Sequence, residues 1–269
     1  MIRIDDNQLS SSHRSGWLLG PIVVLDNPAD HSGEAITQAS ELAGAAMVDL
    51  KMVPTDSLIH EDLAVLATVM GAGLLVLPGS RLSAVENQQR LLEAVATARP
   101  VLVARTQFEG PVLVVAGSRG AGLGVMAIAA DEARRLDRPL LVVHSDDPEL
   151  DSMDRGILKA SIQTIWQRCG VSAEITPSTA PHVSSLTCLA KSLKARLIIL
   201  GSYDDSDPSK APRQRLAMEI AKLSPCSVLL LPPPREEARW FVESPKVANG
   251  RSRIIPGPME THRPENPMN

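Results

Sequence analysis

The sequence predicts an α/β protein made of two Rossmann-like parallel-sheet domains in tandem, the first lacking one αβ unit. Three observations carry this. Short, nearly charge-free runs of Val, Ile and Leu recur along the chain, as strands covered on both faces should. Helical patterns follow them, and strands alternating with helices imply parallel pairing with right-handed crossovers. The series then repeats: PIVVLD at 21–26 returns as PVLVVA at 111–116, LLVLPGS at 74–80 as LIILGS at 197–202, and RPVLVAR at 99–105 as CSVLLLP at 226–232.

Taken in order, residues 1–16 read as a flexible arm without the apolar core of a secretory signal. The first domain is expected over 17–106. After its opening strand, Ile36, Ala39, Leu42, Ala43 and Ala46 fall on one helical face. The run AAMVDLKMV (45–53) brings the next strand. The uncharged stretch Leu63–Ser80, broken by Gly71, Gly73 and Pro78, reads as a helix, a turn and a buried strand, and it is too short to cross a bilayer. The second domain is expected over 107–232. There Met126, Ala129, Ala130 and Ala133 repeat the helical face, and PLLVVHS (139–145) is the second strand. The first strands lie 90 residues apart but the fourth-strand runs 123 apart, so the second copy carries about 33 extra residues. These are placed around Leu150–Thr176, as a helix (Met153, Ile157, Ala160, Ile165) and a strand, VSAEIT at 171–176. The link at Thr106–Gly110 is short, so the two sheets should sit against each other. Eight prolines in the 38 residues after Leu231 make 233–269 a disordered, Pro-rich tail, with REEARWFVE (235–243) as one helical turn or a docking peptide.

Composition excludes several functions. With 27 Lys+Arg against 31 Asp+Glu the net charge is −4, which argues against a general nucleic-acid binder. Three Trp, one Tyr and two Phe leave no stacking platform for single strands. Cys169, Cys188 and Cys226 show no CxxC, so neither a disulfide framework nor a zinc site is expected, and a reducing cytoplasm suits them. Cys188 and Cys226 lie in apolar runs and read as buried. His31, His60 and His182 have no partners at metal-ligand spacing. Neither a membrane nor a nucleic acid is expected as a partner.

Ligands of open parallel sheets bind at the carboxyl ends of strands, where strand order reverses. That points to Asp26–Asp30 and Pro78–Arg81 in the first copy, and to Gly117–Gly124 and Gly201–Arg215 in the second. GSRGAGLG (117–124) can cradle a phosphate with backbone amides or simply permit a tight strand-to-helix turn. It is not GxGxxG, and Tyr203 has no Lys four residues on, so no dehydrogenase is expected. Ser80, Ser118 and Ser202 follow strands without a GxSxG elbow, so no hydrolase is expected either. His144 ends a strand and reads as a packing residue.

The order of these segments resembles the universal stress protein family. PVLVVAGS (111–118), a second strand ending in His144, RLIILGS (196–202) and PCSVLLLP (225–232) carry the resemblance in the second copy. The first copy carries it from PIVVLD to RPVLVAR. The resemblance implies a five-stranded sheet in order 3-2-1-4-5, paired through the last strand, a pair that a tandem chain would make within itself. Nucleotide-binding members of this family use Gly-x2-Gly-x9-Gly-Ser/Thr after the fourth strand, and Gly201 matches its first glycine. Asp204, Gln214 and Arg215 stand at the other three positions, so the phosphate loop is degenerate, with Arg215 as a compensating anion ligand. An Asp ending the first strand meets the adenine in the family. Asp26 holds that place in copy one and Ala116 in copy two, although Asp26 also suits an Asx-type turn. Copy one offers only Pro78-Gly79-Ser80-Arg81 as a loop. The candidate cofactor-binding residues are therefore Asp26, Gly79, Gly201, Ser202 and Arg215, the cofactor being ATP or AMP. The resemblance implies a stress-response protein with regulatory or interaction function rather than an enzyme. Its partner would be a protein met through the inter-copy surface or the Pro-rich tail, or a second copy in a homodimer. The alternative is an ATP- or AMP-binding protein with slow ATPase activity.

Overall fold

The computed structural model describes residues 17–26, 33–54, 63–80, 82, 85–116, 122–145, 156, 159–160, 162–163, 167, 170–171, 173–178, 183–201 and 211–232. The expected arm (1–16) and tail (233–269) lie outside these, as do Met153, Ile157 and Ile165 of the expected insert helix, while Ala160 is helical.

In the first half, β1 (Ile22–Asp26), α1 (Gly33–Ala46), β2 (Leu50–Pro54), α2 (Leu63–Val69), β3 (Leu74–Pro78), α3 (Val85–Ala96) and β4 (Val101–Ala104) follow one another. The second half runs β5 (Val112–Ala116), α4 (Gly122–Leu136), β6 (Leu140–Ser145), β7 (Ala173–Ser178), α5 (Val183–Ser192), β8 (Leu197–Gly201), α6 (Ala211–Leu223) and β9 (Ser227–Leu231). The insert strand lies two residues later than expected and includes Pro177, which an edge strand tolerates.

The sheet order is β2-β1-β3-β4-β9-β8-β5-β6-β7. Every neighbouring pair is parallel except β4 and β9, which meet antiparallel with Leu102 opposite Leu229. The second half thus carries the order 3-2-1-4-5, and the first carries it without its third strand. The two last strands pair within the chain, as the resemblance implies, and the expectation of two sheets merely resting against each other is corrected: one continuous nine-stranded sheet crosses the junction. The cause is that β4 and β9 each end their half as an unpaired edge, and pairing them satisfies both rows of backbone groups.

Helix ends repeat with the same offsets as the strands. Met47 and Asp137 stop α1 and α4 with positive φ (57° and 54°), and Gly71 and Lys194 stop α2 and α5 (62° and 47°). In each case the next amide returns to a carbonyl five residues back: Val48 to Ala43, Arg138 to Ala133, Ala72 to Ala67 and Ala195 to Ala190. This left-handed cap closes the helix and turns the chain into the following strand.

Both faces of the sheet are covered. Ile22, Val24, Leu102, Val112, Val142 and Leu229 pack under α1 and α4, whereas Val23, Leu25, Leu75, Val103, Leu113 and Val228 pack under α2, α3, α5 and α6. Alternate residues of one strand therefore serve opposite cores, which is why the inner strands are almost wholly apolar while the edge strands β2 and β7 carry Lys51 and Glu174. Cys226 is buried, but Cys188 is exposed, against expectation. On α5 the inward positions are Leu186 and Ala190, and Cys188 falls on the opposite side of the turn. Among the described residues no helix is long and apolar enough to cross a membrane, and none form a metal-binding cluster.

Candidate functional site

The carboxyl ends of the central strands in each half position the candidate residues. Asp26 is the last residue of β1, paired with Pro54 of β2; its side chain lies outside what is described. Ser202, Asp204 and residues 117–121 also lie outside the described residues. Gly201 ends β8, and α6 begins at Ala211, so Gln214 and Arg215 stand within the helix, one turn in. The expectation of a loop running to Arg215 is corrected accordingly: the Ala-Met-Ile face of Ala217, Met218, Ile220 and Ala221 is buried on the sheet and draws the preceding turn into the helix. The structure brings Asp26 and Gly79 to one end of the first half. Because β4 and β9 are antiparallel, it brings Gly201 to the opposite end of the sheet.

Gly79, just after β3, and Gly201, the last residue of β8, differ in surroundings. The Gly79 amide donates to the Ala104 carbonyl at 2.7 Å, extending the β3–β4 ladder. A Cβ on Gly79 would lie 2.5 Å from Cγ of Arg105 and 2.7 Å from the Ala104 oxygen. The Arg105 side chain therefore occupies the volume above Gly79, and the amide is already engaged. At Gly201, among the described residues, a Cβ would meet only Cγ2 of Val125, at 2.9 Å, on the first turn of α4.

Arg105 also organises the junction between the halves. Its Nη2 donates to the carbonyls of Ala221 and Lys222 at 3.1 and 2.8 Å, capping the end of α6 where carbonyls lack partners and the helix dipole favours a cation. Its backbone amide donates to the Ser227 hydroxyl at 2.9 Å, which donates to Oε1 of Gln38 at 2.8 Å. Nε2 of Gln38 donates back to the Arg105 carbonyl at 2.6 Å, closing a ring. Nε of Arg105 is buried without a partner among the described residues. Burial pulls the Arg105 guanidinium below its ordinary pKa, opposed by Cys226 and Glu34.

A second polar contact joins the halves on the same face. Glu132, 1% exposed, accepts from Nε1 of Trp17 at 3.2 Å and pairs with Arg135 at 2.7 Å. Arg196 faces Glu41 at 3.5 Å, and its pKa too is lowered by burial. The cavity between α1 and α4, bounded by Trp17, Gln38, Glu41, Glu132, Arg196 and Ser227, measures about 30 Å³. That is room for about one water, not for a nucleotide. A larger concavity of about 440 Å³ lies by Arg134, Arg138, Gly170 and Glu174, where β6 and β7 begin, and so away from the strand ends expected to bind.

Sequence reasoning missed Arg105, Trp17 and Glu132. One signal was present: Arg105 is the only charged residue between Arg99 and Glu109, at the end of a strand that is otherwise apolar.

No family model and no curated protein matches the chain. Solved structures do. A protein of unknown function from Pseudomonas aeruginosa aligns with a TM-score of 0.60 at 17% identity, covering 81% of this chain and 94% of its own. A candidate universal stress protein from another strain of that organism gives 0.60 at 19% identity, over 79% and 93%. A universal stress protein from Archaeoglobus fulgidus gives 0.51 at 13% identity, over 86% and 93%. Each alignment spans most of both chains, and the fold here is the one they share.

Proposed function

We propose that this chain is a tandem protein of the universal stress type, acting in regulation or protein interaction, with nucleotide sites that no longer hold ATP in the usual way. The observation that carries the reading is the state of Gly79: its amide is bonded to Ala104 and Arg105 lies against its Cα. A phosphate-cradling glycine needs a free amide and open space above it. In the second half Gly201 is the one loop position that keeps the family's glycine, beside acidic Asp204, Asp205 and Asp207, which oppose a triphosphate.

Calorimetry of the full chain with ATP and with AMP tests this. The expected outcome is no saturable heat at millimolar nucleotide. Stoichiometric binding of either would overturn the reading in favour of the nucleotide-binding alternative with slow ATPase activity. That alternative has its own support in the second half, where among the described residues only a Val125 methyl faces Gly201. Under it, Arg215→Glu abolishes binding while Arg105→Ala leaves it unchanged.

A further inference from the structure

We propose that the C-terminal segment Arg235–Glu243, through Trp240 and Phe241, docks within the same chain on the outer face of α2 and the adjoining Leu19. The helix α2 reads LAVLATV and carries no charge. Its inner residues Leu63 and Ala67 are buried, yet Val65 and Val69 on the outer side are 58% and 79% exposed. Leu19, 66% exposed, precedes the strand whose Pro21 carbonyl accepts from the Gly73 amide at 2.8 Å, so it lies beside the turn that ends α2. The equivalent helix of the second half, α5, has Ser184, Ser185 and Lys191 at described positions that are not buried. The outer positions of α2 thus include two exposed valines where those of α5 are mostly polar, and an exposed apolar face of this kind marks a covered one.

Chain geometry selects the occupant. Leu230 of β9 pairs with Val101, the first residue of β4, so the chain leaves the sheet at the end where the first-half strands begin. Leu19 and the Gly71–Gly73 turn lie at that end. From β9 to β1 is three strand spacings, roughly 14 Å, and the nine residues from Leu231 to Trp240 extend about 30 Å. The 38 residues beyond Leu231 contain one adjacent aromatic pair, Trp240-Phe241, with Val242 beside it and Glu236, Glu237, Arg239 and Glu243 around it. An apolar centre with charged flanks fits a small apolar face with a wet rim.

Hydrogen exchange on the full chain tests this, comparing wild type with the double variant Trp240→Ser/Phe241→Ser. The expected result is several-fold faster exchange in residues 63–70, with 183–192 unchanged. In the reciprocal variant, Val65→Asp/Val69→Asp, the peptide 235–243 exchanges faster than in wild type. Identical exchange at 63–70 in wild type and the tail variant would overturn the proposal. So would protection at 63–70 that grows with protein concentration, because the occupant would then be a second copy. The nucleotide experiment does not bear on this surface, so the two readings fail separately.

Discussion

Gly79 directly follows β3 and Gly201 is the last residue of β8, the equivalent strand, and their neighbours differ in kind. Above Gly79 stands an arginine whose head is fastened to the last turn of α6; beside Gly201 stands a valine methyl at the start of α4. In the first half the strand end has been made part of the joint between the halves. In the second it has stayed a strand-to-helix turn. A repeated backbone therefore does not imply a repeated site: what decides is the side chain next in line, Arg105 after β4 against Pro232 after β9.

The largest expected effect tests the joint itself. Glu132→Ala leaves Arg135 and the Trp17 indole without their buried acceptor, and stability should fall by about 3–5 kcal/mol in urea unfolding. Glu132→Gln keeps an acceptor for Trp17 and should cost less. An equal loss in both would show that the ion pair, not the indole bond, holds the contact.

Next comes the direct comparison of the glycines. Gly79→Ala drives a methyl into backbone as well as side chain and should destabilise by about 2–3 kcal/mol, while Gly201→Ala displaces only a methyl and should cost about 1 kcal/mol or less. Equal costs, read from thermal unfolding, would break the distinction drawn between the halves. Arg105→Ala frees space above Gly79 but leaves the Ala221 and Lys222 carbonyls uncapped, at about 1–2 kcal/mol. The double variant Arg105→Ala/Gly79→Ala should then lose less than the sum of the singles, because the side-chain half of the clash is gone.

The smallest effect is alkaline. Burial, opposed mainly by the Ser224 hydroxyl, raises the Cys226 thiol pKa above its ordinary value. With rising pH the unfolded thiol ionises first, so the unfolded state binds fewer protons and stability falls. The contribution is fully present below the ordinary thiol pKa and is lost as pH climbs toward the raised one. Cys226→Ala should flatten that part of the pH profile. In a Cys169→Ser background, a thiol reagent should modify Cys188 at once and Cys226 only on unfolding, since one is exposed and the other buried.

The inner strands were legible because they are buried on both faces and their apolar runs stand out against polar turns; PIVVLD and CSVLLLP announce themselves. The missing unit was legible in the offsets, and the helix caps at Met47 and Asp137, Gly71 and Lys194 repeat those offsets residue for residue. The pairing of the last strands was expected from the resemblance, but the side-chain contacts of the joint were not legible. Trp17 meets Glu132 across 115 positions and Ser227 meets Gln38 across 189, and no local period encodes such pairs. Cys188 was misread for a related reason: an apolar neighbourhood in sequence does not say which side of a helix a residue takes. The candidate site was legible only at Gly79 and Gly201, since local pattern names a strand end without naming what lies over it.

The antiparallel junction of β4 with β9 has one more consequence. In a symmetric dimer every substitution arises twice, so a contact across the axis must suit its own mirror position. Here Leu42 and Glu132, Gln38 and Ile128 belong to a single polypeptide, and each can change alone. Within one chain the two sides of the axis are not bound to self-complementarity. The Trp17 bond to Glu132 is such a contact: a symmetric dimer would have to make it twice, whereas one chain can hold it once.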